Sequence, residues 1–281
     1  MMAGVTVVLK IAKRRGLALK LIKLFKSTHL GPSLLVSSIA FLFAYQFFTI
    51  SKALIVFLTY LTGQFVVGWT NDLFDMSSDQ VEMRTNKPVA MGEISQKIVK
   101  SSIFLSLLFC VGLSLTGPLG LKGGTLHLFA VGCGVSYNAS LKSTVFSPIP
   151  YFLAFAALPA TVYLGAGVAV PTWLVLAAGL FGVAAHFANV LKDMEVDRTS
   201  GTLGLPQRSG LTLTLIVIAI TLIAIAIVLG EQIPSLRITI YTVTAISLVI
   251  IFLKSREVGF QVTMALALAD VLLMISWVRP R

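Results

Sequence analysis

The sequence predicts an all-α polytopic membrane protein built as a bundle of nine transmembrane helices, and three observations predict it. The chain is 57% hydrophobic and 12% charged, where a soluble domain carries roughly 25% charged residues. Its mean hydropathy is +0.93. Its apolar runs are continuous instead of alternating, and most approach the roughly 17–25 residues that a spanning helix needs. Backbone amides cannot stay unpaired in hydrocarbon, so such runs must close their hydrogen bonds internally, as helices.

The elements follow in chain order. Residues 1–28 read as an interfacial basic helix. From Leu17 to Lys26, Lys20, Lys23 and Lys26 share one side while Leu17, Leu21, Leu24 and Phe25 share the other, a pattern that lies on an anionic cytoplasmic leaflet. The basic stretch is too long for a signal peptide, and no small-residue cleavage site follows it. Spans are expected at residues 31–50, 53–70, 98–116, 124–139, 149–168, 171–190, 211–230, 237–253 and 258–278, so that 29–281 forms the bundle and 1–281 a single domain. Only the connections 71–97 and 191–210 are long, and neither is low in complexity.

A cytoplasmic N-terminus leaves only Lys52, Lys122, Arg237, Arg279 and Arg281 outside, of 22 Lys and Arg, as the positive-inside rule requires. Bases spread over membrane loops in this way account for the net charge of +11 without a nucleic-acid partner. Cys110 and Cys133 fall inside spans without CxxC or Cys/His spacing, which reads as two structural thiols. The sequon at Asn138 lands on the cytoplasmic side and reads as chance.

The scarce acids are not scattered. Eight of the eleven occupy the connections after the second and sixth spans, and both begin alike: Asn71-x3-Asp75-x3-Asp79 recurs as Asn189-x3-Asp193-x3-Asp197. Steps of four keep each trio on one narrow helical face, with Asp72 close by. The recurrence after the second helix of each half predicts two four-helix pseudo-repeats plus one helix, with the acidic faces opposed across a central cavity. Stacked aspartates repel one another and call for a cation. Oxygen ligands without accompanying His or Cys favour a hard ion, Mg²⁺ or Mn²⁺. Magnesium commonly bridges carboxylates to phosphate oxygens, which points to a phosphorylated substrate.

These residues resemble the UbiA superfamily of intramembrane prenyltransferases, over nearly the whole chain from Phe25 onward. "NDLFDMSSD" (71–79) is similar to the family's NDxxDxxxD signature, and "DMEVD" (193–197) to its second DxxxD. "RTNKPVAMGEIS" (84–95) and "YNASLK" (137–142) resemble the segments after the first motif and after the fourth span. The resemblance implies a nine-helix bundle in the membrane, here the plasma membrane of a prokaryote. It also implies a cytoplasmic-face site where Asn71, Asp72, Asp75, Asp79, Asp193 and Asp197 hold Mg²⁺ ions that grip a prenyl diphosphate. The prenyl chain would pass to a hydrophobic acceptor of aromatic, lipid or carotenoid type.

Chemistry then assigns expected roles. Arg84, Lys87, Lys142, Asn189, Lys192 and Arg198 would bind the diphosphate, with Arg208 following, although positive-inside topology accounts for any one base equally well. Tyr137 would donate to the diphosphate or face the developing cation. Asp79 would accept the released proton or act as a metal ligand alone. Phe41, Phe43, Phe47, Phe48, Phe65, Trp69, Phe152 and Phe155 are candidates to shield a carbocation, against lipid-facing packing. Asp270, inside the ninth span, is expected to make a structural hydrogen bond, as is His186. Two alternatives share the acids: a membrane terpene cyclase, and a cation transporter, whose ion site would ordinarily sit near the bilayer midplane instead of at span ends. The sequence leaves the acceptor, the prenyl length and the oligomeric state open.

Overall fold

The computed structural model describes residues 19–199 and 201–277; the N-terminal part of the expected interfacial helix, including Leu17, lies outside them. Every extended element among the described residues is a helix. They are α1 (Leu19–Lys26), α2 (Leu30–Tyr45), α3 (Ile50–Phe74), α4 (Met76–Val81), α5 (Gln96–Thr116), α6 (Gly120–Ala139), α7 (Pro148–Gly165), α8 (Thr172–Val190), α9 (Met194–Thr199), α10 (Leu205–Gln232) and α11 (Arg237–Trp277). Six are long and apolar enough to cross a membrane, and seven if α1 and α2, bent by 67°, form one span.

Local chemistry sets the ends. The Ser95 hydroxyl caps α5 by accepting from the Ile98 amide, and Pro148 and Pro206 open α7 and α10, where a missing N–H costs nothing. α11 was expected as two spans with a short loop. The two helices join at a break at Lys254, with φ −135° and ψ 37°, within the expected connection 254–257.

α3 packs on α2, α5 and α6, and α8 packs in the same way on α7, α10 and α11. The neighbour pattern of the first half is thus reproduced in the second. Contacts between α6 and α7 and between α11 and α2 join the halves around a central space, with α5 and α10 on the periphery. Small residues permit the close approaches, as they do in bilayers where apolar contact with a neighbour gains nothing over lipid. Gly179 and Gly182 of α8 lie on Phe152 and on the Tyr151 backbone of α7, and Gly134 of α6 lies on Val67 of α3. The outward faces stay apolar: Phe104, Leu108, Ile220, Ile223 and Val249 are all exposed.

α1 lies against α3 as well. The Trp69 indole donates to the Leu24 carbonyl at 2.9 Å, Phe25 packs edge-on against Phe65, and Lys23 pairs with Glu93 at 2.9 Å. A Cβ added at Gly68 would meet the Thr28 carbonyl at 2.5 Å, backbone against backbone. Gly68→Ala is therefore expected to lower the melting temperature in detergent by roughly 3–10 °C, from an overpacking cost of about 1–3 kcal/mol.

Candidate active site

α3 ends at Phe74, inside the first acidic motif, yet the stacking of the trio survives the helix end. The Asp75 amide donates to the Asn71 carbonyl at 2.9 Å and the Asp79 amide to the Asp75 carbonyl at 2.8 Å. The second motif repeats the second of these steps, the Asp197 amide reaching the Asp193 carbonyl at 2.8 Å, while the Asp193 amide bonds the Val190 carbonyl at 3.1 Å in a tighter turn. In both copies the chain then turns back on the last aspartate, Arg84 N to Asp79 O at 3.0 Å and Thr202 N to Asp197 O at 2.8 Å. Thr202 therefore stands where the first copy has Arg84, and one arginine serves both clusters.

Arg84 occupies the space between them. Its Nε is 2.6 Å from Glu82 Oε2 and 3.5 Å from Asp79 Oδ1, while Nη1 is 3.7 Å from Asp193 and Nη2 3.7 Å from Asp197. The segment that carries it is anchored by apolar side chains, since Val89 and Ile94 are buried with Trp69 and Val99. Gln80 Nε2 adds a bond to the Ala90 carbonyl at 3.1 Å. Lys142 pairs with Asp75, and Lys87 lies 2.7 Å from Asp72 and 3.9 Å from Asp79.

One cavity of about 700 Å³ gathers Asn71, Asp75, Asp79, Arg84, Lys87, Tyr137, Lys142, Asn189, Lys192, Asp193 and Asp197 on its wall. Two expected residues are placed elsewhere. Asp72 is 1% exposed and lies behind the wall, held by Lys87 and, at 3.5 Å, by His29. Arg198 is exposed and lines no part of the cavity, because it follows Asp197 by one residue on α9 and so points about 100° away. Arg208 likewise turns out, donating to the Leu203 carbonyl at 2.7 Å.

Several contributors were not foreseen. Gln207 Nε2 donates to Asp197 Oδ2 at 2.9 Å. Asn138, the sequon residue, is buried between Val67 and Asn71. His29 reaches Asn71 from a left-handed turn, φ 53°, between α1 and α2. Of these, only Gln207 had a local signal, a polar residue beside the proline that opens α10.

Of the aromatic candidates, Phe155 lines an apolar cavity next to this one together with Tyr60, Tyr137, Tyr151 and Phe260. Phe47 packs on Tyr163 and Phe65 on Trp69 instead. His186 is hydrogen-bonded to Ser147 at 2.9 Å, as expected. Asp270 is not: it is 2% exposed, and both its carboxylate oxygens lack a hydrogen-bond partner among the described residues.

Burial pushes the Asp79 carboxyl above the usual range despite Lys87 and Arg84. It does the same to Asp197 despite the Gln207 hydrogen bond. Burial also works against the Arg84 charge, but the Glu82 hydrogen bond and the neighbouring acids hold its pKa above the ordinary value. Burial keeps the Lys142 ammonium below its ordinary value. An acid raised on folding binds more protons folded than unfolded, so its contribution favours the fold at low pH and is lost as pH rises through the folded value. In metal-free protein, Asp79→Asn is thus expected to melt higher than wild type by a margin that widens as pH rises from the ordinary carboxylate range through the raised folded value. Thermal unfolding in detergent at several pH values measures it, and a constant margin would show that the burial of Asp79 is fully compensated.

Among the described residues no three Asp, Glu, His or Cys side chains converge as a ready-made metal nest; Arg84 and the lysines stand between the acids. Buried oxygens of Asp72 and Asp79 nevertheless accept no hydrogen bond.

A model of the UbiA prenyltransferase family matches residues 30–273. The chain is similar in structure to a UbiA homolog from Archaeoglobus fulgidus bound to DMAPP and Mg²⁺, with TM-score 0.71 and 18% identity over 90% of this chain and 99% of that one. It is also similar to a UbiA homolog from Aeropyrum pernix K1 in the apo state, with TM-score 0.70 and 15% identity over 87% of this chain and 98% of that one. A digeranylgeranylglyceryl phosphate synthase structure gives TM-score 0.64 and 19% identity over 92% and 98%. No curated protein matches the sequence. At such identities the structures establish a shared fold, and the sequence match over most of the chain decides membership: the chain belongs to the UbiA prenyltransferase family.

Proposed function

We propose that the protein is a Mg²⁺-dependent prenyltransferase that moves a prenyl group from an allylic prenyl diphosphate to a hydrophobic acceptor of aromatic, lipid or carotenoid type. The observation that carries this reading is Arg84 standing between two carboxylate clusters at 3.5–3.7 Å, on the wall of a cavity that continues into apolar space. A diphosphate with a greasy tail needs that junction of charge and hydrocarbon.

The donor set fits a hard divalent ion: oxygen-bearing side chains, no cysteine, and buried carboxylate oxygens that no hydrogen bond satisfies. Asn71, Asp75 and Asp79 on one side and Asn189, Asp193 and Asp197 on the other would hold the ions, with Asp72 as a reserve ligand behind Lys87. Bound Mg²⁺ supplies Lewis-acid neutralisation of the departing pyrophosphate. Arg84 and Lys142 are placed to turn from the acids to the phosphate oxygens, with Lys87 and Lys192 adding point charge. Tyr137 lines both cavities, a position from which it would donate to the diphosphate or face the developing cation. The C–O bond to the diphosphate breaks, pyrophosphate leaves, a nucleophilic carbon or oxygen of the acceptor bonds to the allylic carbon, and the proton that atom releases passes to Asp79.

α2, α3, α5 to α8, α10 and the two halves of α11 are read as nine spans of one domain. The N-terminus and the site lie on the cytoplasmic side of a prokaryotic plasma membrane, and α1 rests in the interface, where its exposed Leu21, Ile22 and Phe25 would meet lipid.

The test incubates purified protein and Mg²⁺ with labelled prenyl diphosphates, with and without host lipid extract, and identifies products by mass spectrometry. A prenylated component formed only with extract is the expected result. A cyclic hydrocarbon formed from the diphosphate alone would replace transfer with cyclisation, and ion flux in proteoliposomes without diphosphate turnover would replace both.

A further inference from the structure

Beside the polar cavity lies a second one of about 180 Å³ with mostly apolar walls. Gln64, Tyr137, Tyr151 and Phe260 line both, so the two meet at that level. Leading away from the aspartates, α3 runs from Gln64 to Tyr60, α6 from Tyr137 to His127 and α7 from Tyr151 to Leu158. The second residue of each pair lines only the apolar space. At 1.5 Å per residue, the stretches run about 6 Å on α3, about 15 Å on α6 and about 10 Å on α7.

The far end is closed by polar side chains from four helices. The Tyr60 hydroxyl lies 2.7 Å from Thr161 Oγ1 and 3.3 Å from the Leu158 carbonyl. Its ring stands 4.4 Å from that of His127, whose Nδ1 bonds Ser114 Oγ at 2.9 Å. Ser114 gives its own proton to the Cys110 carbonyl at 2.6 Å, so Nδ1 is the donor to Ser114. Tyr60, His127, Thr161 and Ser114 are each at most 4% exposed. Swinging any of them aside would strand a polar group in hydrocarbon, which makes the closure rigid. Sterics act in the same direction: α3 and α6 approach so closely at Gly63 that a Cβ there would sit 2.8 Å from Val131 and 3.1 Å from the His127 ring. Behind the network Val56, Leu119 and Val162 are fully buried.

From this geometry we infer that Tyr60, His127, Thr161 and Ser114 form a stop that sets the length of the prenyl chain, admitting about two to three isoprene units. This rests on the prenyl-transfer reading above. An isoprene unit has four backbone bonds of about 1.5 Å and extends about 5 Å as a zigzag. Two or three units match the stretches of α7 and α6, whereas a fourth, at about 20 Å in all, exceeds the stretch on every helix and meets the Tyr60 ring. Tyr60 and His127 are thus specificity-determining residues, remote from the bond being broken.

The experiment compares dimethylallyl, geranyl, farnesyl and geranylgeranyl diphosphates with Mg²⁺, reading pyrophosphate release as kcat/KM and, separately, the protection each gives against thermal unfolding. Wild type is expected to favour geranyl and farnesyl over geranylgeranyl diphosphate by about 10- to 100-fold, the scale on which an apolar pocket discriminates by size. Tyr60→Ala should erase most of that difference. Ala154→Leu, which narrows the cavity without touching the network, should shift preference toward dimethylallyl by about tenfold, and it decides the matter if Tyr60→Ala does not fold. Equal use of geranylgeranyl diphosphate by wild type, or an unchanged ranking in the folded variants, overturns the stop. Failure of every length to release pyrophosphate or to protect the protein overturns the prenyl-transfer reading itself.

Discussion

Arg84→Ala is expected to slow pyrophosphate release by about three orders of magnitude, the upper range for loss of one preorganised charge partner at a developing anion. The reason is the position of the guanidinium, which touches Asp79, Asp193 and Asp197 at once. Removing it leaves two acidic clusters facing each other with Lys87 and Lys142 bound to other carboxylates of the first cluster. Arg84→Lys should recover little of the loss, because an ammonium cannot present a planar fork to acids on opposite sides. Steady-state release assays on the two variants, with circular dichroism and melting curves as controls, measure this. A lysine variant close to wild type would mean that charge alone matters at this position and that the bridging geometry does not.

Asp75→Ala and Asp193→Ala form the second expectation. Each should reduce pyrophosphate release about a thousandfold or more while the protein stays folded in detergent. The two losses should be similar although one residue pairs with Lys142 and the other with Arg84, because both clusters serve one diphosphate. Residues that act as a unit are strongly non-additive, so the double variant should be scarcely worse than either single one. Full activity in either single variant, or losses that multiply, would separate the clusters into independent sites.

The sequence exposed the acids because their information is local. Asn71, Asp75 and Asp79 reveal their shared face through spacing alone, and the repeat at Asn189, Asp193 and Asp197 shows that the spacing has a purpose. Arg84, Lys87 and Lys142 were also legible, as bases in the connections next to those motifs. Arg198 was not correctly placed, since one residue of helical phase separates a cavity position from an outward one. His29, Asn138 and Gln207 join the site through contacts with residues distant in sequence or across a turn, and no periodicity encodes those. The aromatics could not be sorted for a different reason: in a membrane protein both the lipid face and the interior are apolar, so Phe47 and Phe65 look the same in sequence as Phe155. Asp270 reads as an expected hydrogen bond, yet its two oxygens are unpartnered among the described residues, because a partner depends on which helix packs against that turn.

By itself the sequence determined that the chain is helical, that it lives in a bilayer, and that it carries two matched acidic motifs, which line one cavity. All three follow from composition and short-range spacing, which hydrocarbon and helix geometry translate directly into structure. Only the tertiary structure decided that a single arginine joins the two motifs, that Asp72 is held back by Lys87 and His29, and that the apolar space ends at Tyr60 and His127. Those outcomes depend on how closely helices far apart in sequence approach one another, and small residues such as Gly63, Gly68 and Gly134 fix that distance through packing that no local pattern records.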